Sequence, residues 1–262
     1  MTKGNVKKKM NKNQNYERFS SKKGDGVRIN PELCFYHPKE VYNALIHNRE
    51  VVKWLTFISN HYQPPKKNVL LIYPCSSYKP YFKSRSYKVL FKTLDKLGKK
   101  RTEIHLVTIS EPFGIVPEEF YGKETKWHDW KNEWYDCPGL FEWWCNKNGL
   151  PYSKKYLDKS ITLLADYVAA FFKKAQSKKA YSRRIAFVRT YSSGLRTRID
   201  HTHKRIIERA AEIANVDVDI LPEKDLVSEI VDKKGRMAWD FYGVAHPISQ
   251  KFLFNYLKEI LN

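Results

Sequence analysis

The chain reads as an α/β protein with a mostly parallel sheet, and three observations predict it. Short apolar runs of strand length, Val69 to Tyr73, Ile104 to Ile109 and Ile185 to Val188, stop at turn formers or charged residues. Between them lie segments whose apolar residues recur every three or four positions, the period of an amphipathic helix. Strands that alternate with helices imply right-handed crossovers and helices on both faces of one sheet.

Taken in order, residues 1–30 form a basic tail. Its first 28 residues hold nine Lys or Arg against two acids, with Asn, Gln, Ser and Gly filling much of the rest. Such a segment buries too little apolar surface to fold alone, and it reads either as a nucleic-acid-binding arm or as a solvated disordered tail. Residues 31–262 read as a single α/β domain. Arg49 to Tyr62 carries Val51, Val52, Leu55 and Ile58 at helical spacing before Pro64-Pro65 stops the helix. The strand Val69–Tyr73 follows and empties into Pro74-Cys75-Ser76-Ser77. Tyr87 to Leu97 is the next helix, with Gly98 as its terminator. Ile104–Ile109 is a second strand, ending in the turn Ser110 to Gly114. Leu157, Ile161, Leu164, Val168 and Phe171 give the clearest helical stripe in the chain. Ile185–Val188 (strand), Ile206–Ala214 (helix), Val216–Leu221 (strand) and Phe252–Leu261 (helix) complete the pattern.

Composition narrows the function. The 262 residues carry a net charge of +20 and a pI of about 9.6. An excess of this size suits a polyanionic partner, because Lys and Arg release phosphate counterions on binding; a generally Lys-rich composition is the plain alternative. Lys173 to Arg209 alone holds twelve Lys or Arg against two acids. The stretch reads as one nucleic-acid-binding rim or as several separate solvated faces. Trp127, Trp130, Trp134, Trp143 and Trp144 cluster within residues 127–144. They read as core or as a surface on which bases stack. Cys34, Cys75, Cys137 and Cys145 lie far apart without a Cys-x-x-Cys pair, so neither a disulfide framework nor a common zinc module is read, and no metal or cofactor is assigned. No apolar signal-peptide core and no run near the ~20 residues of a membrane helix is found, which points to a cytoplasmic protein with no membrane contact.

The turn after the first strand carries the chemistry. In open α/β sheets the loops at the carboxyl ends of strands hold ligands. Here the spacing is Pro74-Cys75, three residues, Lys79-Pro80-Tyr81, two residues, Ser84, two residues, Tyr87. It resembles the signature of the archaeosine synthase family, which runs Pro-Cys, Lys-Pro-Tyr, Ser and His at the same intervals; Tyr87 stands where the family has His. His47 to Trp54 and Tyr62-Gln63-Pro64-Pro65 look like the helix and turn ahead of that signature. Val107-Thr108, Phe113 to Glu119 and Tyr135-Asp136-Cys137-Pro138 look like segments downstream of it. The similarity covers roughly residues 45–200, and no stretch resembles the tRNA-binding PUA module of many relatives.

The resemblance implies a fold like that of uracil-DNA glycosylases, a three-layer α/β/α sandwich around a short parallel sheet, so that 31–262 is a catalytic domain. It implies a transferase acting on 7-cyano-7-deazaguanine in the D-loop of archaeal tRNA, adding an amine across the nitrile to form an amidine. The donor is the side-chain amine of free lysine, or glutamine, and a radical S-adenosylmethionine partner enzyme acts on the lysine adduct. Two alternatives stay open: the same base chemistry on DNA, or a non-catalytic tRNA-binding subunit of the same pathway. A base-excision glycosylase is disfavoured, since such enzymes carry Asp where Lys79 stands.

Catalytic residues are then expected at Cys75, Lys79, Tyr81 and Ser84. Cys75 reads either as a nucleophile forming a thioimidate or as a small packed residue at a strand end. Lys79 can hold a phosphate, orient a carboxylate or act as an acid, or it is a surface lysine. Tyr81 can stack on the base, and Ser84 can cap the following helix. Substrate contacts are expected from Ser76, Ser77, Tyr87, Glu118, Asp136 and His246. Tyr87 cannot serve as a base near neutral pH, because a phenol titrates near ~10. The acids Glu118, Glu119 and Asp136 are candidate partners for a substrate ammonium group. Gly243 to Ser249, with His246-Pro247, resembles the His-Pro-Ser loop beside the glycosylase base pocket, or is a plain turn.

Overall fold

The computed structural model describes residues 28–121, 133–193 and 201–262. The tail before Arg28, Trp127, Trp130 and residues 194–200 of the basic stretch lie outside the described residues.

Arg28–Cys34 forms β1, which pairs in parallel with β5 (Glu133–Asp136) in a separate two-stranded sheet. The expected domain start at residue 31 thus falls inside a strand. Its Pro31 and mixed polar pattern hide it from a search for alternation. Pro38–His47 is α1 and Arg49–Thr56 is α2, prolonged by one wider turn over Phe57–His61. Asn48 separates the two helices because its side-chain oxygen accepts from the backbone N–H groups of Glu50 and Val51, both at 3.1 Å.

The main sheet follows. Its strands are β2 (Lys67–Pro74), β3 (Ile104–Ser110), β4 (Gly114–Pro117), β6 (Tyr181–Phe187) and β7 (Asp219–Leu221), in the spatial order β4-β3-β2-β6-β7. Only β4 runs antiparallel. It is the return stroke of the Ser110–Gly114 turn, where Gly114 takes φ +60°, and four residues were too few to read as a strand. β2 is paired on both sides, so Val69 to Tyr73 are all buried.

Connections place the helices. From β2 the chain passes through α3 (Arg85–Asp95) to its neighbour β3. From β3 it returns past β2 through α4 (Glu142–Asn148) and α5 (Lys154–Ser177) to β6, and through α6 (Thr202–Ala214) to β7. Right-handed crossovers in opposite directions put α3 on one face and α5 and α6 on the other. α7 (Lys224–Lys234) and α8 (Arg236–Tyr242) lead to α9 (Pro247–Ile260), which packs on α3. The long helix α5 packs on α6 and α1, with Leu157, Leu164, Val168, Phe171 and Phe172 buried. The α/β/α layering and mostly parallel sheet agree with the sequence. β7 starts later than Val216 because Asn215 ends α6 at φ +53° and the Val216 N–H closes the helix end on the Ala211 carbonyl, 3.1 Å away.

The direction of travel reverses between β2 and β6. At such a switch point the loops leaving neighbouring strands part to opposite faces and open a crevice at their carboxyl ends.

Candidate functional site

That crevice is a cavity of about 360 Å³. Its walls come from Tyr73, Pro74 and Cys75 at the end of β2, Glu111 after β3, Cys137 to Gly139 after β5, Arg189 after β6, His201 to His203 at the start of α6, and residues 240–245 from the end of α8 toward α9. Its volume lies in the usual range of small-ligand sites.

Three side chains converge in it. The Cys75 sulfur lies 3.7 Å from His203 Nε2 and 3.8 Å from Glu111 Oε2, and that Nε2 lies 3.0 Å from the same carboxylate oxygen. Glu111 is buried, whereas Cys75 and His203 are half-buried and face the cavity. Burial by itself lowers the pKa of His203, but the Glu111 carboxylate, aided by Cys75, overrides it and raises the imidazole to about 10. Burial likewise pushes the Glu111 carboxyl up, yet His203 holds it below the ordinary carboxylate value. At neutral pH the pair is therefore an imidazolium and a carboxylate beside the Cys75 sulfur. These donor atoms all lie within 4.8 Å of one another, close enough to converge on one metal ion, although the sequence assigned no metal.

Lys79 sits beneath this group with no exposed surface. Its Nζ lies 4.4 Å from the centre of the Tyr135 ring and 5.8 Å from that of Tyr81, and it has no hydrogen-bond partner among the described residues. Burial lowers its pKa; Cys75, Cys137 and Glu111 pull the other way without overcoming it. It is no surface lysine. Tyr81 is also fully buried, with its hydroxyl on that of Tyr135, which in turn meets Ser110 Oγ at 2.5 Å. Tyr81 therefore shapes the floor and does not line the cavity.

Tyr87 is fully buried as well. Its hydroxyl donates to the Pro74 carbonyl at 3.1 Å and contacts the Thr108 hydroxyl, so it props the Pro74-Cys75 turn from below rather than meeting a ligand. Ser84 caps α3, its oxygen accepting from the Tyr87 N–H at 3.3 Å. Ser77 lines the first cavity. Ser76 and His246 line a second, about 820 Å³ in volume. There His246 caps α9, its Nδ1 accepting from the Ile248 N–H at 3.2 Å.

The three expected substrate acids are placed elsewhere. Glu118 pairs with Arg101 and accepts from the Leu106 N–H at 3.1 Å, near the amino end of β3 and a strand length from the crevice. Asp136 is buried and accepts from the Tyr36 hydroxyl at 3.1 Å. Glu119 accepts from the Tyr62 hydroxyl and lies 3.2 Å from His105, again away from the crevice. The basic stretch is likewise divided. Lys174 and Lys178 reach Tyr62 and Gln63 at the amino end of β6, while Arg189 and His203 stand at its carboxyl end. Of the tryptophans, Trp134 is core and Trp143 lines the cavity mouth.

The sequence reading missed Glu111, His203 and Arg189. Glu111 carried a signal, a carboxylate in the turn at a strand's carboxyl end. His203 carried almost none, lying 128 residues from Cys75.

The fold and site define an α/β domain with a cysteine-histidine-glutamate group at the switch point of its sheet. Residues 51–146 match the family model described as a domain of unknown function, DUF5591. The archaeosine synthase subunit alpha of Thermoplasma acidophilum is 32% identical over 99 residues, spanning 38% of this chain and 18% of that protein. That of Methanosarcina acetivorans is 44% identical over 70 residues, spanning 27% and 11%. That of Thermococcus kodakarensis is 34% identical over 82 residues, spanning 30% and 14%. The chain thus matches less than a fifth of the length of these relatives. A solved structure, that of AF0587, a protein of unknown function, aligns over 80% of this chain and 50% of its own with a TM-score of 0.42 and 15% identity. The matched segment of the chain is thus similar to one part of these archaeosine synthase alpha subunits. Cys75, Lys79 and Glu111 fall inside it; His203 falls outside.

Proposed function

We propose that the protein is a tRNA-modifying transferase of the archaeosine pathway that adds an amine to the nitrile of 7-cyano-7-deazaguanine. The observation that carries this reading is the Cys75 sulfur in a base-sized cavity, with a protonated His203 Nε2 3.7 Å away. In this reading the sulfur bonds to the nitrile carbon as its S–H bond breaks, the nitrile nitrogen takes the His203 proton, and the imidazole takes the S–H proton in its place, giving a thioimidate. The donor amine, the side chain of free lysine, then attacks the same carbon. The amine gives up one proton to His203 as the imidazolium protonates the departing sulfur, the carbon–sulfur bond breaks, and an amidine and the free thiol result. No electrons are gained or lost. Glu111 holds the imidazole in place and stabilises its charged form. A radical S-adenosylmethionine enzyme is the partner that would process the lysine adduct.

The test supplies tRNA carrying the nitrile base and isotopically labelled lysine or glutamine, with mass spectrometry of the product nucleoside. Label from lysine is expected. Salt-sensitive tRNA binding without transfer would leave a binding subunit in place of an enzyme. Without amine, intact-mass analysis should show a covalent nucleotide adduct on the wild type and none on C75S; a fully active C75S would exclude the thioimidate.

A further inference from the structure

The second cavity opens beside the first, and the two share Ser86, Phe241, Tyr242 and Ala245 as a common wall. We infer that this groove holds the single-stranded polynucleotide that flanks the base seated at Cys75; the inference rests on the proposed tRNA substrate. Phe241 is 73% exposed and Tyr242 38%, among the largest exposures of any big apolar side chain in the described residues. Water-facing aromatics of this kind need a partner to justify them. Their rings meet edge to face at 5.0 Å, and the Arg85 guanidinium lies 5.2 Å from the Tyr242 ring centre. The groove wall adds Lys83 and Tyr78, and among the described residues no carboxylate lines it.

Aromatic faces interleaved with cations, and no acids, match a strand that alternates bases with phosphates. The position matches too. A base turned into the first cavity leaves its neighbouring nucleotides at the mouth, where the shared wall stands. The net charge of +20 favours this polyanion over an acidic-poor protein surface.

The experiment measures fluorescence anisotropy of a labelled, unmodified tRNA transcript and of a single-stranded RNA of roughly 12 nucleotides, within the usual site size for such grooves. F241A should bind both probes about 5- to 100-fold more weakly, the loss of one base stack. R85E should weaken both and lower the slope of log affinity against log salt by about 1. K99E, an exposed lysine near the amino end of β3, should stay within about twofold, the small effect of a remote surface charge. Thermal melts should match throughout, since Phe241 packs little. Wild-type affinity in both F241A and R85E, or preference for a duplex probe, would overturn the inference. Weakened binding with no amine transfer by the wild type would instead retain the groove and reject the chemistry; normal transfer by F241A and R85E, with normal binding, would do the reverse.

Discussion

His203 Nε2 and Glu111 Oε2 lie 3.0 Å apart, across 92 residues of sequence, and the Cys75 sulfur completes the group from a third segment. An ion pair so placed sets both the charge of the site and its pH dependence. The imidazole, raised to about 10, should keep its proton across the physiological range.

Removing the carboxylate tests this. In E111Q the main influence that raises His203 is gone, so its titration should move to lower pH, read from the imidazole proton shifts in NMR. The alkaline limb of the pH–rate profile should move with it. An unmoved titration would mean that Glu111 does not set the charge of His203.

The same pair predicts how stability follows pH. The raised His203 pKa stabilises fully below its unfolded value of ~6.5, and the contribution is lost as pH rises toward about 10. The depressed Glu111 pKa stabilises above its unfolded ~4.3 and is lost as pH falls below it. Urea unfolding of the wild type against H203Q should therefore show the largest difference between about pH 4.3 and 6.5, narrowing on both sides. A difference independent of pH would remove the ion pair as its cause.

The layered fold was legible because β3, most of β2 and the second half of β6 are buried on both faces and so read as unbroken apolar runs, while α5 carries a long stripe. β1, β4 and β5 were not, since strands of four residues, or with an internal proline, give no periodic signal. Of the site, the local half was visible: Cys75 and Lys79 lie four residues apart in one turn. Its other half comes from long-range pairing. His203 arrives through the β6–α6 connection, and nothing in the residues around it announces a partner 128 positions away. Glu118 misled for the converse reason, because an acid near a strand does not reveal which end of the sheet it serves. Tyr81, which matches the motif, and Tyr87, which departs from it, both hold the turn's shape from within.

Lys79 buries an amine whose Nζ has no hydrogen-bond partner among the described residues, and such a group costs roughly 1 to 3 kcal/mol. K79M keeps the stem and removes the polar head. It should raise the urea midpoint at pH 7 without changing the slope. Because burial lowers the Lys79 pKa, the unfolded chain binds the extra proton, so wild-type stability should climb with pH toward ~10.4 and the advantage of K79M should shrink. A destabilised K79M would show that the contact with the Tyr135 ring outweighs the cost of burial.

Tyr87 stands where the family signature has His, and its hydroxyl supports the Pro74 carbonyl directly ahead of Cys75. Burial pushes its phenol well above the ordinary value, so it carries no proton traffic near neutral pH. Proton transfer is instead available to His203, whose Nε2 lies 3.7 Å from the Cys75 sulfur. Y87F should then cost about 0.5 to 1.5 kcal/mol of stability, the worth of one hydrogen bond. Its turnover should fall only as far as the Cys75 turn shifts, with the shape of the pH–rate profile unchanged, whereas H203Q should lose about 100-fold or more. If Y87F changed the profile and H203Q did not, the proton would travel through the phenol and the assignment of His203 would fail.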